Sequence, residues 1–366
     1  MKDYKPWSKK IANSINNRAH NEFVTLDIQF GGACNMHCVY CDTPQYGEPC
    51  LLDLGAIEKI IKEGNIEWIH SCGLGEPTNE SDNLWENNIH FLIHILEMCK
   101  QYGSNMTIFS NLLNLPNAIK DYVDNGILNI VYKYDTSNIR LMQYLYGITE
   151  EQAKKLILNR ESLMEVHHLD EYGSNLAFST VPLRDTLSEL PSIIDFGEET
   201  EQHYLLGQLE NVGKASSCSN CKSCTNCGKK ASFFEQQFLM DAELYSILKY
   251  IKAAHGFDYE LSPCTGAYSA MHINNSNQII CDELTGLSCP WPLLEEPRLK
   301  ILGDIRTMSQ AQLTRAYLDY RKERLPAVEE LSKNIQGFPI GSCGGNLKTL
   351  IKDYASTVRK QDNIRN

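Results

Sequence analysis

The chain is 366 residues long, with 42% hydrophobic and 22% charged residues, ordinary proportions for a folded protein with room for more than one domain. Its net charge of −12 argues against general binding to nucleic-acid phosphates or anionic membranes, both of which attract basic surface. No apolar run approaches the roughly 20 residues that span a bilayer, and the lysines of MKDYKPWSKKIANSINN lack the apolar stretch of a signal peptide. A cytoplasmic location is expected, with neither nucleic acid nor membrane as a partner.

From residue 22 onward, β-rich runs alternate with helical stretches. EFVTLDIQF (Glu22 to Phe30) reads as a strand that leads into a cysteine loop. LLDLGAIEKIIKEGN places Leu54, Ile57, Ile60 and Ile61 on one helical face and Gly64 near its end. A second strand, Ile66 to Ser71, precedes the turn CGLGEPT, and a helix from about Leu84 to Tyr102 follows. A third strand, Asn105 to Asn111, a short helix after Pro116, a strand Ile127 to Asp135 and a helix from about Thr149 to His168 continue the series. Asn175 to Thr180 reads as another strand, and Leu187 to Asp195 as another helix. Strands alternating with helices imply parallel βαβ units. No G-x-G-x-x-G follows the first strand, so an open, partial (β/α)6 TIM-like barrel is favoured over a dinucleotide-binding sheet. In either architecture the loops after the strands' C-terminal ends build the active site, and the first cysteine loop, CGLGEPT and Ser110-Asn111 all fall there.

The pattern changes near residue 212. The expected organisation is an N-terminal extension (1–21), the partial barrel (22–212), a cysteine-rich connector with a helix from Asp241 to Ala254 (213–262), and a smaller, cysteine-rich C-terminal domain with a helical tail (263–366).

Fourteen cysteines are conspicuous in a chain with no sign of secretion. In a reducing compartment they serve mostly as free thiols, metal ligands or catalytic groups. Cys50, Cys72 and Cys99 read as small buried hydrophobes. GGACNMHCVYCDTP sets Cys34, Cys38 and Cys41 in one loop, with Tyr40 beside the last. A structural zinc site takes four protein ligands, and His37 would have to fold back on its own loop to be the fourth. Three thiolates on a four-iron cluster leave one iron open to an outside ligand.

This arrangement resembles the radical SAM superfamily, whose hallmark is C-x3-C-x-aromatic-C after the first barrel strand. The resemblance implies that the open iron of a [4Fe-4S] cluster chelates S-adenosylmethionine. One electron then splits the sulfonium into methionine and a 5′-deoxyadenosyl radical, which abstracts a substrate hydrogen. Gly75, Glu76 and Pro77 resemble the family's GGEP motif, which holds the methionyl amine; Leu74 makes the fit GxGEP. In the same view Ser110 and Asn111 contact the ribose, Tyr40 lies near the adenine, and Asp135 faces the substrate or the cofactor. Read without the resemblance, Ser110 and Asn111 are helix caps and Asp135 a strand end on solvent.

The segment from Cys264 to Cys281, hairpin-like with a turn at Asn274 to Asn277, together with ILGDIRTMSQAQL and GSCGGN, resembles the C-terminal auxiliary-cluster module called SPASM or, when shorter, twitch. Ser276 stands where the family has glycine, and the full seven-cysteine array is absent. The resemblance therefore implies one cluster here, on Cys264, Cys281, Cys289 and Cys343. Cys218, Cys221, Cys224 and Cys227 form C-x2-C-x2-C-x2-C, a spacing that suits an iron–sulfur cluster or zinc. Lys229 and Lys230 follow it, placed to offset an anionic cluster or simply solvated. Auxiliary clusters would move electrons for a net two-electron oxidation.

Expected partners are a reductase- or flavodoxin-type electron donor and either a ribosomally made peptide or an amino sugar or cyclitol. About thirty residues precede Cys34, too few for a folded leader-binding domain, so a peptide substrate would call for a separate leader-binding protein. The reading from another class is a non-catalytic metal-binding or redox protein.

Overall fold

The computed structural model describes residues 25–41, 49–72, 75–81, 87–170, 173–206, 209, 232–239, 270–283, 299–320 and 323. Six strands form the parallel frame: β1 (Thr25–Gln29), β2 (Trp68–Cys72), β3 (Asn105–Ser110), β4 (Leu128–Lys133), β7 (Leu176–Thr180) and β8 (His203–Leu206). Five helices, one from each connection of that frame, pack on one face: α1 (Leu54–Gly64), α2 (Asn88–Tyr102), α3 (Asn117–Asp124), α5 (Glu150–Met164) and α6 (Leu190–Glu199). A further helix, α4 (Ile139–Tyr146), precedes α5, and a small hairpin, β5 (Leu169–Asp170) with β6 (Gly173–Ser174), precedes β7. This is the expected α/β partial-barrel series, with α4 and β8 in addition to the predicted elements.

Local chemistry sets the helix starts. Asp53 caps α1 through Ala56 N, Asn138 caps α4 through Arg140 N and Leu141 N, and Thr149 with Gln152 makes a reciprocal capping box at α5. The alternation of each strand decides its two faces. Leu26 and Ile28 of β1 join Ile57, Ile60, Leu92, Met106, Ile108, Ile130 and Phe178 in the main apolar core beneath the helices. Cys50 and Cys99 are buried in that core, as small hydrophobes should be.

Three later strands widen the same sheet. The hairpin of β9 (Ala270–Ile273) and β10 (Gln278–Asp282) turns at Asn274–Asn277, and β11 (Leu299–Asp304) runs antiparallel to β10. β9 lies parallel to β1, in register Thr25 to Ala270, so the sheet order is β11-β10-β9-β1-β2-β3-β4-β7-β8. Asn277 fastens the hairpin turn to the segment after the cysteine loop: its Oδ1 accepts from Asp53 N at 2.6 Å and its Nδ2 donates to Leu51 O at 2.7 Å. Residues 310–320 are helical, and Leu313 and Tyr317 pack on the same core as Cys281.

On the helix-free face, one register row reads His272, Asp27, His70, Thr107, Asn129 across β9, β1, β2, β3 and β4. Burial lowers the His272 pKa from 6.5 to about 4, with the neighbouring Asp27 charge opposing the shift. The unfolded chain takes up this proton first as the pH falls, so stability contributed by neutral His272 is complete above pH 6.5 and is lost toward pH 4. Urea unfolding across that window should show a loss of about 3 kcal/mol, which His272→Gln flattens.

Candidate functional site

The predicted groups of the site sit at or just beyond the C-terminal ends of parallel strands. The cysteine loop follows β1, and its irregular backbone is fastened on two sides. His37 N donates to Tyr146 O at 3.0 Å and Val39 N to Leu145 O at 2.9 Å, so the loop satisfies the terminal carbonyls of α4. Gly147 closes that helix at φ +63°, and a Cβ there would lie 2.6 Å from His37 O. On the other side the buried amide of Asn88, at the start of α2, bonds to both loops at once. Its Nδ2 donates to Gly31 O at 3.1 Å and Glu76 O at 2.9 Å, and its Oδ1 accepts from Gly31 N at 3.2 Å. Asn88 escapes sequence reading because a helix-start asparagine normally signals a cap, and Asn87 already plays that part.

The GEP loop after β2 packs backbone against backbone on the cysteine loop. Gly75 has φ +86°, and a Cβ there would stand 2.1 Å from Gly31 O, so only glycine fits. Glu76 N donates to Ala33 O at 2.9 Å. The Glu76 carboxylate is buried: Oε1 accepts from Ser110 Oγ at 2.7 Å, Thr78 Oγ1 at 2.7 Å and Thr78 N at 3.1 Å, and Oε2 accepts from Asn111 N at 2.7 Å. Burial raises its pKa and these four donors work against the rise. Pro77 is buried beside it. The structure therefore unites Gly75, Glu76, Pro77, Ser110 and Asn111. It also gives Ser110 a holding role, because its single proton goes to Glu76 while its oxygen accepts from Leu112 N at 3.0 Å. The Asn111 side chain turns to the cysteine loop, donating to Asn35 Oδ1 at 2.8 Å and lying 3.7 Å from Cys34 Sγ.

The end of β4 supplies the charged part. Asp135 is fully buried and accepts from the Tyr40 hydroxyl and, at 2.8 Å, from Val181 N, while its own N–H donates to the Tyr146 hydroxyl at 3.0 Å. Lys133 Nζ lies 3.2 Å from Asp135 Oδ2 and 4.5 Å above the centre of the Tyr40 ring. Burial alone would lower the Lys133 pKa, but Asp135, Cys38 and Cys41 outweigh it and hold the ammonium above the ordinary lysine value. Burial also drives the Tyr40 phenol well up, with the Asp135 charge adding to it. Lys133 is absent from the predicted site, although a lysine inside the apolar run of ILNIVYKYD was a visible signal.

The thiols have their own electrostatics. Burial pushes Cys34 up to about 11, aided by the Glu76 charge, and Cys38 up to about 12 despite Lys133. Cys34 and Cys41 both disfavour ionisation of Cys38, which marks the three as one electrostatic group. Among the described residues no three His, Cys, Asp or Glu side chains gather closely enough for a single metal ion. A four-iron cluster makes the different demand of one thiolate on each of three irons, and a loop carrying three neighbouring cysteines beside a lysine fits that donor set. Cys281 lies on β10, fully buried in the main core. Cys218, Cys221, Cys224, Cys227, Cys264, Cys289 and Cys343 fall outside the described residues, as do Lys229, Lys230 and the helix expected over Asp241 to Ala254.

No protein-family model matches the chain, and no curated protein does. Solved structures do. Streptococcus suis SuiB bound to S-adenosylmethionine superposes with a TM-score of 0.55 at 16% identity, over 94% of this chain and 78% of that one. SuiB bound to its precursor peptide SuiA gives 0.54 at 13% identity, over 86% and 70%. anSMEcpe with bound AdoMet and the Kp18Cys peptide gives 0.57 at 12% identity, over 87% and 89%. These are radical SAM enzymes of the SPASM type, and at such identity the likeness establishes the fold alone: an α/β partial barrel. Among the described residues no helix is long and apolar enough to cross a membrane.

Lys133 and Asp135 are coupled by their burial, so removing one partner leaves the other charge exposed to a low dielectric. Lys133→Gln should cost about 3 kcal/mol in thermal unfolding. Combining it with Asp135→Asn should cost clearly less than the two single losses added together.

Proposed function

We propose that this protein is a radical SAM enzyme that holds a [4Fe-4S] cluster on Cys34, Cys38 and Cys41, binds S-adenosylmethionine, and oxidatively modifies a peptide. The observation that carries this reading is the convergence of the three-cysteine loop, the Gly75-Glu76-Pro77 turn and the Asn111 amide at one end of the sheet. When bound, the cluster supplies the single electron that splits S-adenosylmethionine, and the adenosyl fragment takes a hydrogen atom from the substrate.

The chain's own residues do the holding. Glu76, saturated by Thr78, Ser110 and Asn111, stiffens the turn whose backbone faces the methionyl end. Tyr40, fixed by Asp135, offers its ring to the adenine. Lys133 places a partly buried positive charge beside Cys38, where it works against the burial that keeps that thiol protonated, and suits either an anionic cluster or the carboxylate of methionine. Because burial holds Cys34 and Cys38 protonated without metal, loading must expel protons, and cluster affinity should fall in acid.

A peptide substrate is supported by two relatives of like fold: SuiB is bound to precursor peptide SuiA in one structure and anSMEcpe holds the Kp18Cys peptide in another. A separate leader-binding protein and a flavodoxin-type donor complete the reading. Auxiliary clusters are assigned to Cys218, Cys221, Cys224 and Cys227 and to Cys264, Cys281, Cys289 and Cys343.

Oxygen-free reconstitution with iron and sulfide, then S-adenosylmethionine and dithionite, should release 5′-deoxyadenosine, and Cys38→Ala should abolish the release. Absence of the nucleoside from the native protein, or its persistence in the Cys38→Ala protein, would refute the assignment. Replacing Cys218, Cys221, Cys224 and Cys227 together by alanine should lower iron and sulfide while leaving part of the cleavage. Loss of zinc instead would remove that auxiliary cluster.

A further inference from the structure

The helix-free face of the sheet carries a polar centre that the cysteine-loop site does not use. Asp27 stands between His70 and His272 in one register row, with His70 Nδ1 3.3 Å from Asp27 Oδ1. A carboxylate only accepts, so a carboxylate beside Nδ1 favours the tautomer of a neutral imidazole that carries its proton there and leaves Nε2 a lone pair. That Nε2 is buried and has no hydrogen-bond partner. The same is true of the hydroxyl of Thr25, a wholly buried residue two positions earlier on the same strand and face. Buried polar atoms are nearly always paired, because an orphan forfeits its hydration and receives nothing in return.

The neighbours along the row show that the orphans are local. Trp68 Nε1 donates to Thr107 Oγ1 at 2.8 Å, and Asn129 Nδ2 donates to Met106 O at 3.1 Å. Among the described residues, two apolar side chains on this face stand half exposed. Phe109, the next residue of β3 on this face toward the strand end, is 47% exposed, and Ile301, opposite Ile280 on β11, is 53% exposed. The row is also close to the proposed chemistry. Asp27 precedes Gln29, the last residue of β1, by two positions, which sets it about 7 Å below the strand end at the usual rise per residue. The cysteine loop begins just beyond.

We infer that His70, oriented by Asp27, is the interior hydrogen-bond acceptor for a hydroxyl or amide N–H of the substrate, with Thr25 as a second polar contact. The inference rests on the radical SAM reading for the existence of a substrate in this space, but its test is independent of cleavage. The cluster-loaded protein, labelled with nitrogen-15 at histidine, is observed at pH 8, above the ordinary histidine pKa of about 6.5, with His70→Gln assigning the signal. Nε2 should carry no proton and should shift saturably on titration with N-methylacetamide or with ethylene glycol. Action of the amide at lower concentration marks a peptide, and action of the diol at lower concentration marks a hydroxylated small molecule. Asp27→Asn, which removes the carboxylate charge 3.3 Å from His70 Nδ1, should weaken the apparent affinity for the probe by about five-fold or more. A protonated Nε2 in the native protein, or no saturable shift with either probe, overturns the inference. Release of 5′-deoxyadenosine from the same sample is scored separately: its failure removes the radical SAM reading and leaves the acceptor role of His70 to be judged on the titration alone.

Discussion

An irregular loop that must hold three cysteines near one another cannot satisfy its backbone in a ladder, and the fold around the site follows from that constraint. Peptide groups buried without partners are costly, so partners are brought from three directions. The end of α4 offers the carbonyls of Leu145 and Tyr146, which a helix leaves open in any case, and His37 N and Val39 N take them. Asn88 closes the other flank by bonding to Gly31 and Glu76 together. Gly75 then allows the second loop to approach within contact of the Gly31 carbonyl, a distance at which any Cβ would collide. Loop geometry is thus over-determined by α2, α4 and the turn after β2, which is what the proposed cluster would need from its ligands.

The same packing creates an electrostatic problem that the end of β4 answers. Closing the loop buries Glu76 and Asp135 and partly buries Cys34 and Cys38, and for Glu76 and the two thiols this burial disfavours the charged form. Four hydrogen bonds offset the cost for Glu76. For the thiols and Asp135 the compensating charge is Lys133, held over the Tyr40 ring and within ion-pair distance of Asp135. With the thiols protonated the Lys133 and Asp135 charges balance; ionising the thiols would leave an excess of negative charge that bound metal would offset.

Much of this was legible from residue order, for reasons that also set the limit. β1 to β4 and β7 announce themselves because alternation over five or six residues is enough to choose a face, and Leu26 with Ile28 shows it directly. The three-cysteine spacing and Gly75-Glu76-Pro77 are local patterns, so their place after β1 and β2 could be expected. Helix α4 is only eight residues long, between a strand and a longer helix, and its NIRLMQYLY stretch gives too few turns for a period to show. β8 has four residues and suffers similarly. The bridging amide of Asn88, the Tyr40–Asp135 pair that Lys133 joins and the holding role of Ser110 were out of reach for a different reason. Their meaning lies in partners 57, 95 and 34 positions apart in the chain (Gly31 with Asn88, Tyr40 with Asp135, Glu76 with Ser110), and spacing carries no record of those encounters.

The late hairpin changes what the sheet can be. By lying parallel to β1, β9 turns what would have been an edge strand into an interior one and brings His272 beside Asp27. An edge is a liability that folds usually cover, yet covering alone would be met by any apolar strand. Here the covering strand adds an imidazole to a buried carboxylate that already has one, and burial keeps that imidazole neutral. Two histidines around a single aspartate, on a face where Phe109 stands half exposed, make poor core material by the ordinary measure of polar burial. The same residues make good sense as the floor of a space that receives a polar molecule. On that view the C-terminal strands are joined to the barrel less as an appended module than as the part of its wall that sets what may enter.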